Sequence, residues 1–299
     1  VLQARDDSAS LSLLQEVANK AGWPAPARER VIYEFVNELR KETPRIVGEP
    51  VMEYLTSYQS MVLVPHEDHP RAAVPMFNIK SAATGVANEW SRQEAAFEAA
   101  TLVASDPGSL LIAYENEAEF PRRRGFLDAL DTASTEQLAA VSQVVLPEIS
   151  EKPELVAIAH RAAINSKDIN ALSELAESGR GPDMHRVFRD SAKMFDIEQN
   201  QALLEAALRN PSYEMASLAI AQYASALKGN AATEQLLIQL LDDPELGSSA
   251  AVALAKAPSS QALESLQALA DADGEALFAT RARLALEMYA AGLARGDRR

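Results

Sequence analysis

The sequence predicts an all-α protein whose C-terminal half is a row of stacked helix pairs, and three observations carry that expectation. Residues Leu203-Leu204 through Asn210-Pro211 recur as Leu236-Leu237 through Asp243-Pro244, offset by 33 positions. Each copy is followed by a second apolar run rich in Ala, Leu218-Ala219-Ile220-Ala221 and Val252-Ala253-Leu254-Ala255. Aromatic residues make up only 6% of the chain while Ala and Leu abound, which suits close helix packing rather than β-branched sheet faces. A pair of helices this short cannot bury its own apolar face, so it becomes stable by stacking on similar neighbours into an α-solenoid of antiparallel helix pairs.

Proline and glycine divide the chain into helix-sized pieces. Residues 10–21 read as a first helix, closed by Gly22 and the Trp23-Pro24-Ala25-Pro26 stretch. Residues 27–41 read as a second, with Val31, Ile32, Phe35, Val36 and Leu39 at helical spacing. Residues 51–64 are ambiguous: Met52, Leu55 and Gln59 suit a helix, whereas Met61-Val62-Leu63-Val64 could equally be a short strand; context favours helix. Residues 65–75 hold three prolines and are expected to form a loop or extended turn. Beyond it, Ile79, Ala83, Val86, Trp90, Phe97, Ala100 and Ala104 fall on one face of a long amphipathic helix, interrupted by Gln93. Trp90 is then a core anchor rather than a stacking platform for a ligand.

From Asp106-Pro107-Gly108 onward the pieces become short and regular, with helices expected at 109–119, 123–132, 135–146, 153–165, 168–178 and 183–195. Ser134 or Thr135, Asp168 and Asp183 each precede an apolar-periodic run, as N-caps do. The repeat extends in both directions. Leu237 and Leu240 map onward to Leu266 and Leu269 at a spacing of 29, and Leu172, Leu175-Ala176 and Phe188 map to Leu204, Ala207-Leu208 and Ile220 at 32. Residues 1–75 are therefore expected to be a helical N-terminal segment or cap ending in the Pro-rich loop, and 76–299 a solenoid clearest over 168–292.

The pattern of a Leu-rich first helix, an Asn-Pro or Asp-Pro turn and an Ala-rich second helix resembles the HEAT-like repeat family, in its short bacterial form related to the phycobilisome-lyase type repeats. The resemblance implies a right-handed superhelix of helix pairs that serves as a protein-binding scaffold.

Charge constrains the partner. The net charge of -15 repels a phosphate backbone, which disfavours nucleic acid. Between Asp196 and Ala279 there are 12 acidic and 3 basic residues, so more than half of the excess lies in under a third of the chain. Solvated helix faces account for such a surplus, and so does a groove for a basic protein or peptide. No apolar run approaches the ~20 residues of a membrane span. Cysteine is absent, which excludes thiol nucleophiles, disulfides and Cys-type metal sites. A chain that begins at Val1 and lacks Cys favours a periplasmic or secreted location over a cytoplasmic one.

Two clusters could carry chemistry. His66-Glu67-Asp68-His69 places four ligand-type side chains in the proline-bounded loop, where imidazole and carboxylate suit zinc or another first-row ion. Its second His is at i+3 rather than i+4, and adjacent side chains rarely converge on one ion, so a solvated polar loop is the competing reading. Arg122-Arg123-Arg124 follows Pro121 at a helix start, where backbone N–H groups also attract anions; an anion or acidic-partner contact competes with simple compensation of Glu115, Glu117 and Glu119. His160 reads as a satisfied helix-surface or inter-repeat residue and His185 as part of a mixed-charge helix face, and no phosphate loop, nucleophile elbow or kinase motif is present. The sequence therefore favours a non-enzymatic interaction scaffold, without a cofactor, that binds a partner on the concave face of an acidic solenoid, the alternative being a metal-binding or small-molecule enzyme built on the His66–His69 loop.

Overall fold

The computed structural model describes residues 7–69, 71–256, 258–272 and 276–296. Among them are sixteen α-helices and a single two-stranded sheet, so the all-α expectation holds. The chain divides into two compact units, one of residues 1–102 and 116–129, the other of 103–115 and 130–299.

In the first unit α1 (Asp7–Ala18), α2 (Ala25–Leu39) and α3 (Glu49–Thr56) precede a short hairpin of β1 (Leu63–Pro65) and β2 (Ala73–Pro75), and α4 (Ile79–Ser105) follows. Helix α2 begins two residues earlier than the prolines suggest, because Pro26 sits in its first turn, where the missing N–H would have had no intrahelical acceptor. Helix α3 stops at Thr56, short of the expected 64, and the chain beyond it is extended. Glu29 of α2 holds that extended chain. Its buried carboxylate accepts hydrogen bonds from the backbone N–H groups of Met61 at 2.5 Å and Val62 at 3.4 Å, acceptors that a continuing helix would have supplied. Pro65 and Pro75 thus belong to an antiparallel hairpin in register Leu63↔Pro75, each at a strand end where no ladder donor is lost.

Helix α4 buries Ile79, Ala83, Val86 and Trp90 in one cluster with Leu14, Ile32, Val36, Leu39, Val51 and Leu55. The sequence boundary at 75/76 thus falls inside this core. Trp90 is its anchor, as expected, and the indole Nε1 donates to the Glu42 carbonyl at 3.3 Å. The second half of α4 departs from the expected face: Phe97 is 78% exposed and Ala100 and Ala104 are also exposed, while Ala95, Ala99 and Val103 are buried. The five-residue step from Trp90 to Ala95 turns the buried stripe through roughly 140°. This second face receives α6 (Phe120–Ala129) at Gly125: a Cβ there would lie 2.9 Å from both Ala95 Cβ and Ala96 N and closer still to the Arg92 carbonyl oxygen. Arg92 and Asp128 pair beside the same contact. Replacing Gly125 with Ala is expected to destabilise the protein by about 2 kcal/mol through overpacking against backbone that cannot yield, measurable by urea denaturation; an unchanged midpoint would remove this account of the α4–α6 approach.

The second unit holds α5 (Pro107–Asn116) up to Glu115, then α7 (Thr135–Val145), α8 (Val156–Ser166), α9 (Ile169–Ser178), α10 (Met184–Met194), α11 (Ile197–Leu208), α12 (Tyr213–Tyr223), α13 (Ala231–Gln239), α14 (Gly247–Leu254), α15 (Ser260–Ala270) and α16 (Leu277–Gly296). Ser134 closes a capping box with Gln137, and the Asp168 carboxylate accepts from Asn170 N and Ala171 N, as their positions predict. Asp183 departs from expectation: it makes no side-chain cap and instead pairs with Arg186 at 3.3 Å. Consecutive helices pack as pairs, α7 with α8, α9 with α10, α11 with α12, α13 with α14 and α15 with α16. The second members also touch in succession, α8 to α10, α10 to α12, α12 to α14 and α14 to α16.

Candidate functional site

The repeated turns show how the units are joined. Asn210 and Asp243, equivalent in the copied sequence, both turn a side-chain oxygen forward: Asn210 Oδ1 accepts from Ser212 N at 2.9 Å and Asp243 Oδ1 from Glu245 N at 2.9 Å. Asn210 is 5% exposed, and its amide also reaches back one unit to donate to the Ala176 and Gly179 carbonyls, each at 3.0 Å. Asp243 has no donor to offer. Its turn is held from the next unit by Arg281, whose guanidinium donates to the carbonyls of Leu241 at 2.8 Å, Asp243 at 2.6 Å and Pro244 at 2.9 Å. Arg281 is 8% exposed, and Gly247 leaves room for it: a Cβ at that position would lie 2.6 Å from the guanidinium carbon.

A second buried polar series runs along the second helices. Ser191 of α10 and Tyr223 of α12 share a hydrogen bond of 2.7 Å between their hydroxyls, and burial pushes the Tyr223 phenol pKa up. His160 of α8 is buried with Nε2 3.6 Å from Asp190 Oδ2 of α10, too far for a hydrogen bond. Burial, only partly opposed by Asp190, lowers its pKa to about 4, so the ring is neutral at pH 7. His160 is thus buried between α8 and α10 rather than on a helix surface, and its Nε2 lacks the hydrogen-bond partner expected of it. His185 lies among Asp183–Arg186 and Arg189–Asp190 ion pairs in the mixed-charge segment expected there.

The hairpin brings His66 and His69 together at its tip, ring centroids 5.4 Å apart and tilted by 33°. His66 Nδ1 accepts from Asp68 N at 3.1 Å, which leaves only Nε2 of that ring for any other ligand. Glu67, Asp68 and His69 are exposed, and among the described residues no three His, Asp or Glu side chains are arranged to hold one ion. The Arg122–Arg124 run does reach carboxylates, but they belong to the chain itself: Arg122 binds Glu117 at 2.7 Å and Glu98 at 2.5 Å. Glu117 also accepts from the backbone N of Glu119 at 2.9 Å, the larger of the influences that hold its carboxyl below the usual range. An anion thus already sits against Arg122 just ahead of α6; Arg124 is exposed.

The acidic half presents its charge differently. Asp196, Glu198, Glu205, Glu214, Asp242, Glu245, Glu264 and Asp271 are all exposed. Among the described residues no Lys or Arg lies within ion-pair distance of any of them. Upstream, by contrast, Glu94, Asp128, Glu98, Glu115 and Asp131 each meet an Arg or Lys. Asp273, Glu275 and the Arg298-Arg299 tail lie outside the described residues. Among the described residues no helix is long and apolar enough to cross a membrane. No family model, curated protein or solved structure matches the chain.

Proposed function

We propose that residues 130–299 form a right-handed, HEAT-like α-solenoid that acts as a non-enzymatic scaffold for a basic segment of a partner protein. The observation that carries this reading is the set of eight exposed carboxylates between Asp196 and Asp271, none of which has a Lys or Arg within ion-pair distance among the described residues. Their mutual repulsion disfavours the free protein, and a cationic partner relieves it. The succession of contacts α8–α10–α12–α14–α16 supports the stacking. The second helices also carry apolar side chains to solvent, among them Tyr213 at 57%, Val252 at 41%, Leu284 at 41% and Met288 at 38% exposure. Glu214 lies beside Tyr213 at the start of α12, a pairing of acid and apolar side chain that suits a segment carrying both basic and apolar residues.

A synthetic peptide of alternating Lys and Leu tests this reading. It is expected to bind at about 50 mM salt and to lose affinity several-fold by about 300 mM, as screening removes the long-range attraction. The Glu214→Lys/Glu245→Lys variant should bind it more weakly at low salt. Absence of binding at low salt, or binding indifferent to salt and to both charge reversals, would rule out an acidic docking face.

A further inference from the structure

Helix α16 carries an apolar stripe that none of the described residues covers. Leu277, Leu284 and Met288 fall at steps of seven and four, which sets them on one line along the helix, and all three are exposed. The alanines on its packed side, Ala279, Ala282 and Ala285, are fully buried and lie about a third of a turn away at 3.6 residues per turn. Helices α14 and α15 hold that side and leave the stripe free.

The helix also outruns its supports. It has twenty residues where α14 and α15 have eight and eleven, and from Ala290 to Ala294 every residue is exposed. An exposed helix surface is ordinarily polar, yet Tyr289 to Ala294 includes no charged residue. Gly292 within this run weakens the helix, and the packing of this chain gives no reason for it: a Cβ there would meet nothing within 4 Å. The missing side chain lets a second helix come close.

Charge selects the occupant. The net charge of -15 opposes self-association over most of the surface, but α16 holds three arginines against one acid, Glu287. Arg283 and Glu287, one turn apart, flank the stripe on the same side. Both are exposed, and neither makes an ion pair among the described residues. In an antiparallel pair of identical helices each flank meets its own counterpart, so Arg283 of each copy comes beside Glu287 of the other while Leu284 lies over Met288. The stripe and its charged flank are therefore complementary to themselves.

We infer that α16 is the interface of a homodimer in which two copies of the chain pair antiparallel along Leu277, Leu284 and Met288. A face one helix wide and about 30 Å long falls short of the ~800 Å² per partner of a standard interface, so the dimer is weak, with a Kd in the micromolar range or above. The pairing uses none of Tyr213, Glu214 and Glu245, so self-association and capture of a basic segment can fail separately. The test is sedimentation equilibrium of the full chain from about 1 to about 300 µM, where a monomer–dimer equilibrium is expected. Leu284→Asp/Met288→Asp, which alters two exposed positions, should raise Kd at least about tenfold. Arg283→Glu and Glu287→Arg read the same contact without touching the packed side. Each alone should weaken the dimer by setting like charges opposite one another. An equimolar mixture of these two variants should recover it, because every flanking contact of the mixed pair is again opposite in sign. A monomer throughout the range, a dimer untouched by the two aspartates, or a mixture as dissociated as its separate components would overturn the assignment.

Discussion

Replacing Arg281 with Met is expected to destabilise the C-terminal repeats by about 3 kcal/mol, one of the two largest single-residue effects this structure supports. The guanidinium is nearly inaccessible and meets three carbonyls of one turn, at Leu241, Asp243 and Pro244. Methionine fills much of the volume and donates nothing, so three acceptors at the end of a helix lose their partner while remaining sheltered from water. Lysine is expected to rescue only part of the loss, because a single ammonium on a flexible stem does not reproduce a planar fork. Exposed Arg283, two residues away, is the control: its replacement by Met should stay within about 0.5 kcal/mol of the unaltered protein. Urea denaturation gives the magnitude and hydrogen exchange gives the place. Faster exchange should concentrate in α13 to α16, since neighbour contacts carry repeat stability. A loss spread evenly over the chain, or equal effects at 281 and 283, would show that the turn does not depend on this residue.

The same residue shows why some of the architecture was legible in the sequence and some was not. Helix bounds followed from Pro, Gly and capping residues, and most lie within two or three residues of expectation because those residues act locally on φ, ψ and the first-turn N–H groups. The turn role of Asn210 and Asp243 was legible for the same reason. Arg281 was not, because its partners are backbone carbonyls, which leave no charge signature in a sequence. Glu29 escaped for a similar reason: it holds the N–H groups of Met61 and Val62, so the extended chain after α3 is fixed by a side chain more than thirty positions away. In α4 the periodic pattern misled beyond Trp90. Alanine is compatible with either face, so the row Phe97, Ala100, Ala104 looked continuous while Ala95, Ala99 and Val103 took the buried positions. Among candidate site residues, the adjacency of His66 and His69 was legible, as was the Arg122–Glu117 compensation.

Acid is expected to weaken the second unit through His160 in a window set by its burial. An unfolded histidine titrates near its ordinary value of 6.5, whereas burial in the folded protein lowers this ring to about 4. Above pH 6.5 the ring is neutral in both states and there is no penalty. As pH falls from 6.5 toward 4, the unfolded chain binds a proton that the folded chain refuses, so stability decreases with falling pH. The difference amounts to about 3 kcal/mol by pH 4, and below that both states are protonated and the contribution levels off. The groups facing the ring set the direction. Asp190 and Asp183 favour the imidazolium while Arg161 and Arg186 oppose it, and desolvation outweighs them all. Carboxylates titrate in the same range, so the informative quantity is a difference between proteins. Unfolding free energies of the unaltered chain and of His160→Gln, compared from pH 7.5 to 4, should converge by about 3 kcal/mol in favour of the variant, because glutamine binds no proton in either state. Parallel curves would mean that His160 is solvated or paired well enough to titrate normally. That result would also remove the closed packing between α8 and α10 from which the shift arises.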